Sequence, residues 1–305
     1  MNLPRVGRWA TLVAVAVSTL ALTSCGGGDT AAAPKGSVED QLGFDQAGIL
    51  ERQSRVEAGI RDCMKAQGFE YVPIDPLAQR AAITGSARLS DEDFLNQFGY
   101  GISTLFGRGS VQSDPNQRIR ATLSTADAAA YDRALGGENP TATFAQANDS
   151  GDFTHLGGCT KQATEAVFGG IETLTVLVGK LDDLDQRIVQ DQRMVRATEQ
   201  WSACMGNSGF RYEDPDETDS DILDKFHAIV GSSVEAGATA PAPGATFDQA
   251  ALTALQREEV AVAVADLGCE KQFITPVESV VRPQYETAFR DENQALITKV
   301  PSAGG

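Results

Sequence analysis

Cys63-Met64-Lys65-Ala66-Gln67-Gly68-Phe69-Glu70-Tyr71 returns further along the chain as Cys204-Met205-Gly206-Asn207-Ser208-Gly209-Phe210-Arg211-Tyr212. The shared pattern, C-M-x-x-x-G-F-x-Y, has a structural cause. If the glycine is the left-handed residue just past a helix end, the methionine lies in the last turn and the phenylalanine follows the glycine. Those two apolar side chains then form the contact that accompanies a Schellman stop. The motif therefore predicts a helix terminus with a cysteine in its last turn, twice.

A second block accompanies each copy. Gly158-Cys159-Thr160-Lys161-Gln162 matches Gly268-Cys269-Glu270-Lys271-Gln272 as G-C-x-K-Q. Arg55 and Arg196 occupy the same place relative to Cys63 and Cys204, where they are expected to pair with carboxylates. Two matched blocks in the same order predict two homologous units, 37–178 and 179–300. Their cysteines stand 96 residues apart in the first unit and 65 in the second. The extra residues fall in an inserted loop region, 77–150. Lys161-Gln162 and Lys271-Gln272 are expected in the first turns of matching helices.

The rest of the chain reads as mainly α, forming one or two domains. Leu42, Ile49, Val56, Ile60 and Cys63 follow helical spacing over 38–67, with Ser37 as N-cap. Leu174, Leu177, Leu181, Leu184 and Ile188 recur at three- and four-residue steps that continue towards Val195 and Trp201. Ser124-Thr125-Ala126-Asp127 opens an alanine-rich helix that Gly136-Gly137 stops, and Thr246-Phe247-Asp248-Gln249 reads as a capping box. A last helical stretch covers Val277 to Val300, with Pro283 at a kink or a start. The two F-x-Y segments leave room for a short β-hairpin. Residues 231–245, rich in Ala, Gly, Ser and Pro, read as a loop, and 301–305 as a flexible tail.

The N-terminus supplies an address. Arg5 and Arg8 precede the apolar run Trp9 to Leu22, and Leu22-Thr23-Ser24-Cys25 closes it. The order of a positive segment, a short apolar segment and small residues is that of a secretory leader, and the run is short for a membrane span. Leu22 to Cys25 resembles the lipobox of bacterial lipoproteins. That resemblance implies cleavage after residue 24, acylation of Cys25 with palmitate-type chains, and a flexible tether over 25–36. The expected location is the extracytoplasmic face of a cell membrane, with the lipid holding the protein there. Losing Arg5 and Arg8 takes the formal charge from −17 to −19. So acidic a chain is repelled by phosphate backbones, which argues against nucleic acid as a partner. Once Cys25 carries lipid, Cys63, Cys159, Cys204 and Cys269 remain, an even set suited to disulfides in an oxidising compartment. Pairing within units, Cys63–Cys159 and Cys204–Cys269, is favoured. The crossed set Cys63–Cys269 with Cys159–Cys204 is the main alternative.

Candidate sites are few. Phe94, Phe98, Tyr100 and Phe106 lie among glycines in the insertion and could form a partner or ligand surface. The same rings could instead pack the insertion onto the helices. The acidic run Glu213 to Asp221 could gather Ca2+, or lead as a solvated loop into a helix at Ile222. Asp152 and His155 are the residues an unrecognised hydrolase would use, although no catalytic motif accompanies them. His227 reads as an ordinary residue of an acidic helix. No metal or cofactor site is expected.

With the lipobox, the C-M-x-x-x-G-F-x-Y blocks and Leu255-Gln256-Arg257-Glu258-Glu259-Val260-Ala261-Val262-Ala263 together, the chain resembles a group of actinobacterial secreted lipoproteins. The resemblance implies a shared fold and brings no catalytic residue with it. The expected function is that of a non-enzymatic interaction or accessory module of the cell envelope. The alternatives are a ligand-binding lipoprotein that serves a membrane transporter, and an envelope hydrolase.

Overall fold

A computed structural model of the protein describes residues 36–86, 89–108, 115–140, 142–232, 234 and 246–301. The leader, Cys25, nearly all of the tether, and most of the 231–245 loop and of the tail lie outside the described residues. Among the described residues thirteen α-helices follow in order: α1 (Val38–Leu42), α2 (Gln46–Ala66), α3 (Pro76–Thr84), α4 (Asp91–Phe98), α5 (Pro115–Thr122), α6 (Thr125–Gly136) and α7 (Phe144–Ser150). After them come α8 (Gly158–Phe168), α9 (Ile171–Val189), α10 (Gln192–Asn207), α11 (Asp216–Val230), α12 (Gln249–Cys269) and α13 (Thr275–Ile297). A π-helical turn, Glu270–Ile274, joins α12 to α13 without a break.

Both disulfides form within their own units. Cys63 in the last turn of α2 bonds Cys159 at the start of α8, with Cα atoms 5.6 Å apart. Cys204 in the last turn of α10 bonds Cys269 at the end of α12, at 5.8 Å. Each helix that donates the first cysteine ends as the repeat predicts. Gly68 and Gly209 take φ of 86° and 93°. The Phe69 and Phe210 amides each donate to the carbonyl of Met64 or Met205 at 2.9 Å. Behind the stops, matching stripes turn inwards: Val56, Ile60 and Met64 on α2, and Ala197, Trp201 and Met205 on α10.

The first helical stretch is two helices. Ser37 caps α1 as expected, but the chain turns at Gly43, whose φ is 65°, and Asp45 caps α2 afresh. Likewise the stripe from Leu174 to Ile188 belongs to α9 alone, because Asp191 restarts the chain as the N-cap of α10. The 178/179 boundary falls inside α9, whose buried residues run continuously from Ile171 to Ile188. One apolar cluster includes residues from both units. Pro283 lies inside α13, and Asp248 rather than Thr246 caps α12.

Among the described residues there is no strand, so the F-x-Y hairpin does not form. The reason lies in side chains that replace a strand partner. The buried Asn116 amide bonds both backbone groups of Val72, accepting at 2.8 Å and donating at 2.9 Å. In the second copy Ser202 Oγ donates to the Tyr212 carbonyl at 2.6 Å. With those backbone groups satisfied, the segments stay extended but unpaired.

The start and end of the described body meet at Arg52. Its fully buried guanidinium donates to the carbonyls of Val167, Leu42 and Pro301 at 2.9, 2.6 and 3.0 Å. Two of these carbonyls close helices α1 and α8, where a cation opposes the negative end of the helix dipole. Burial, and then the nearby Arg55, lower the Arg52 pKa, while the Phe168 ring lies 5.0 Å from its charge.

Candidate functional site

Besides the expected helix α6, the insertion 77–150 carries α4, α5, α7 and nearly all of α3, and its far side clasps the second unit. α4 packs on α12, and Gly99, φ 58°, lies so close that a Cβ there would meet the Glu259 carbonyl at 2.9 Å. Just beyond it the chain curls around the Glu259 carboxylate. That carboxylate is fully buried and accepts from the Ile102, Ser103 and Thr104 amides at 2.7, 2.8 and 3.1 Å, and from Ser103 Oγ at 2.6 Å. Burial pushes the Glu259 carboxyl above its ordinary range, against the four donors, which pull it down. One helical turn or two along, Asp266 accepts from Tyr100 Oη at 2.9 Å and from the Trp201 indole at 3.0 Å.

The four insertion aromatics serve this clasp. Phe98 and Phe106 are 4% and 6% exposed, and Phe106 stands edge-on to Phe226 and Phe247. Phe94 packs beside Phe98 and under Arg80, and Tyr100 is half-buried through its bond to Asp266. The rings are thus used in packing the insertion down, as the second reading of them expects.

The two copies of the repeat differ in how the extended segment is tied to its helix, and that difference opens a cleft. In the first copy the buried Glu57 carboxylate ties the extended segment to α2, accepting from Tyr71 Oη and the Ile74 amide, both at 2.9 Å. Counting from Cys204, the equivalent of Glu57 is Thr198 and the equivalent of Ile74 is Pro215, which has no N–H to give. Both halves of the tie are gone. Tyr212 turns its hydroxyl to Asp221 at 2.8 Å instead, and burial, then that bond, raise its pKa far above the usual phenol range.

The space so left is a cleft of about 520 Å³ between α10 and the Glu213–Pro215 turn. Val189, Met194, Val195 and Ile274 give it an apolar floor. Glu199, Glu213 and Asp214 stand exposed on its rim, and among the described residues no lysine or arginine lines it. Ile274 ends the π-helical turn, a wide turn of the kind that recurs at functional sites.

The remaining candidates are placed as follows. Most of the acidic run is helix: after the Glu213–Pro215 turn α11 starts at Asp216, six residues before Ile222, and the carboxylates serve the chain locally. Glu217 accepts from the Glu213 amide and Asp214 from the Asp216 amide, both at 2.8 Å. Among the described residues no group of three His, Cys, Asp or Glu is placed to hold a metal ion. Asp152 and His155 do meet, at 3.2 Å, but their side chains are 46% and 73% exposed. Thr154, through its hydroxyl and its amide, holds the Asp152 carboxyl below its usual range. Lys161 and Gln162 lie at the start of α8 as expected. Lys271 and Gln272 do not open a helix, because the chain runs from α12 through the π-helical turn, and Lys271 instead pairs with Glu92 of the insertion at 2.7 Å. His227 bonds the Val234 carbonyl, and Arg196 is exposed.

Sequence reasoning missed Glu57, Glu259 and Asp266. A signal for the last two exists: the inward stripe Leu252, Leu255, Glu259, Val262, Asp266, Cys269 keeps helical spacing only if both acids belong to it. No helix among the described residues is long and apolar enough to cross a membrane. Comparison with protein families, curated proteins and solved structures gives no match to the chain.

Proposed function

We propose that the protein is a lipid-anchored module on the extracytoplasmic face of a bacterial cell membrane, working by binding a partner of the envelope rather than by catalysis. The observation that supports it is the use of the cysteines. Cys63, Cys159, Cys204 and Cys269 are consumed in two disulfides, which persist in an oxidising compartment. Of the five cysteines that leaves Cys25 outside these two bonds, and it stands in the lipobox-like Leu22-Thr23-Ser24-Cys25. A second reading, a ligand-binding lipoprotein serving a transporter, draws support from the cleft, whose volume lies in the ~300–1,000 Å³ range of small-molecule sites.

The test is fractionation of cells expressing the protein and its Cys25→Ala variant, with thiol labelling before and after reduction. The wild type should enter the detergent phase, show no free thiol until reduced, and lose its membrane retention in the variant. A Cys25→Ala protein still held on the membrane would refute the anchor. Free thiols at Cys63 or Cys204 in the mature protein would refute the compartment.

A further inference from the structure

We infer that the cleft between α10 and the Glu213–Pro215 turn docks a segment of a partner polypeptide that carries lysine or arginine beside aliphatic side chains. The inference rests on the interaction reading above and is independent of the lipid anchor. Two of the six large apolar side chains left exposed among the described residues, Val189 at 47% and Val195 at 38%, lie in this cleft. They adjoin a rim of carboxylates. Among the described residues neither Glu199 nor Glu213 has a cationic partner. A basic side chain suits both surfaces at once: its methylene stem covers the valines while its charge reaches the rim. The acidic charge of the whole chain, −17, steers such a segment in and turns anionic ones away.

The arrangement fits a side-chain anchor better than a small solute. A solute site needs polar groups converging from several directions to fix orientation. Here the carboxylates stand on the rim and the floor is largely aliphatic, the pattern by which a groove takes the anchors of an amphipathic helix. The first copy of the repeat shows the closed form of the same place. Glu57 occupies it and bonds Tyr71 and Ile74, whereas Thr198 brings no carboxylate, Pro215 has no N–H, and Tyr212 bonds Asp221 instead. The second copy has thus lost the internal occupant, and the partner's side chain takes the space.

The experiment uses the purified protein and a short amphipathic peptide with leucine and lysine at helical spacing, labelled for fluorescence anisotropy. Its counterpart with glutamate in place of lysine and the polyamine spermidine serve as comparison probes. The lysine peptide should bind, and the glutamate peptide should not. Glu199→Lys/Glu213→Lys should weaken binding about tenfold, because two exposed charge contacts become repulsions. Thr198→Arg, which places a competing cation in the cleft, should abolish it. Glu172→Lys/Asp183→Lys on α9 should leave it unchanged, and circular dichroism checks that every variant is folded. Equal weakening by the α9 pair would overturn the inference in favour of unspecific charge attraction. Spermidine displacing the peptide at equal concentration would overturn it in favour of a small-cation site. Absence of peptide binding would overturn it too, while in-cell crosslinking to an envelope protein through other residues would leave the interaction reading standing.

Discussion

Replacing Glu259 by Ala should loosen the insertion from the second unit and cost the protein much of its stability. The wild-type carboxylate is the common acceptor for three backbone amides and one hydroxyl, all buried. Serine can rotate its hydroxyl to another partner, whereas the amides of Ile102, Ser103 and Thr104 are fixed by the curl of the chain. An orphaned buried donor costs about 1–3 kcal/mol, so three cost roughly 3–9 kcal/mol. Water entering the vacated space meets part of that, and removing a buried charge returns some. A net loss of about 3–5 kcal/mol follows, a large share of the ~5–15 kcal/mol that holds a typical domain together. Glu259→Gln keeps the volume but turns an amide NH2 towards the donors, and should cost about 2–3 kcal/mol. Glu258→Ala is the control. That neighbour is half-buried and its carboxylate pairs with Lys225 near the surface, so its loss should change stability by under ~1 kcal/mol. The assay is urea unfolding with disulfides intact, joined to hydrogen exchange at residues 102–104. Loss of about 3 kcal/mol locally should speed exchange there by roughly two orders of magnitude. If Glu259→Ala unfolds within ~1 kcal/mol of wild type and those amides stay protected, the clasp does not hold the insertion as argued.

Two further outcomes follow from the geometry. Burial raises the Asp185 carboxyl from 3.8 to about 6, against the pull of Arg282 at 2.8 Å. The folded protein therefore keeps a proton there that the unfolded chain has released, so this contribution is present below pH 3.8 and fades as pH rises to about 6. By linkage the full shift is worth at most ~3 kcal/mol, and the measured part should be smaller because the group is partly exposed and paired. Asp185→Asn should flatten that limb of the urea midpoint against pH, and parallel curves for the two proteins would contradict it. Gly68→Ala and Gly209→Ala should each cost about 1–2 kcal/mol from backbone strain alone, since a Cβ at either meets nothing within 4 Å. Calorimetry that finds the two losses far apart would show that the stops are not equivalent.

Local patterns were legible because their causes are local. Met64, Gly68 and Phe69 announce a helix stop through contacts within six residues of chain, and the α9 stripe announces its buried face by spacing alone. The insertion was harder. Ser124 announces one of its helices, as expected, but the glycines and aromatics from Phe94 to Phe106 suggest a loop, and Ser90 caps a true helix there. Glu259 escaped because an acid among apolar neighbours reads as an interruption of a stripe, and only the Ile102–Thr104 amides, far away in sequence, make it part of one. The π-helical turn left no mark that propensity could detect, and it is what carried Lys271 out of the expected first turn. The cleft needed three distant pieces to converge: Val189 from the end of α9, Ile274 from the π-helical turn, and the Glu213–Pro215 turn. The two substitutions that open it, Thr198 for Glu57 and Pro215 for Ile74, were already visible on aligning the repeats. Their meaning required knowing that Glu57 is a tie.

α13 works as a ruler between the cleft and the place where the N-terminal chain joins the body. Its upstream end adjoins Ile274 in the cleft floor, and further along Arg290 Nη2 donates to the carbonyl of Gly36. The sixteen steps from Ile274 to Arg290 span about 24 Å at the helical rise of ~1.5 Å each. Because Arg282 bonds both Glu39 of α1 and Asp185 of α9, the helix is braced part-way along and that length does not flex with the chain before it. The cleft and the point where the described chain begins are therefore two fixed places on one braced body, and a change in the sequence before Gly36 would leave the distance between them unaltered.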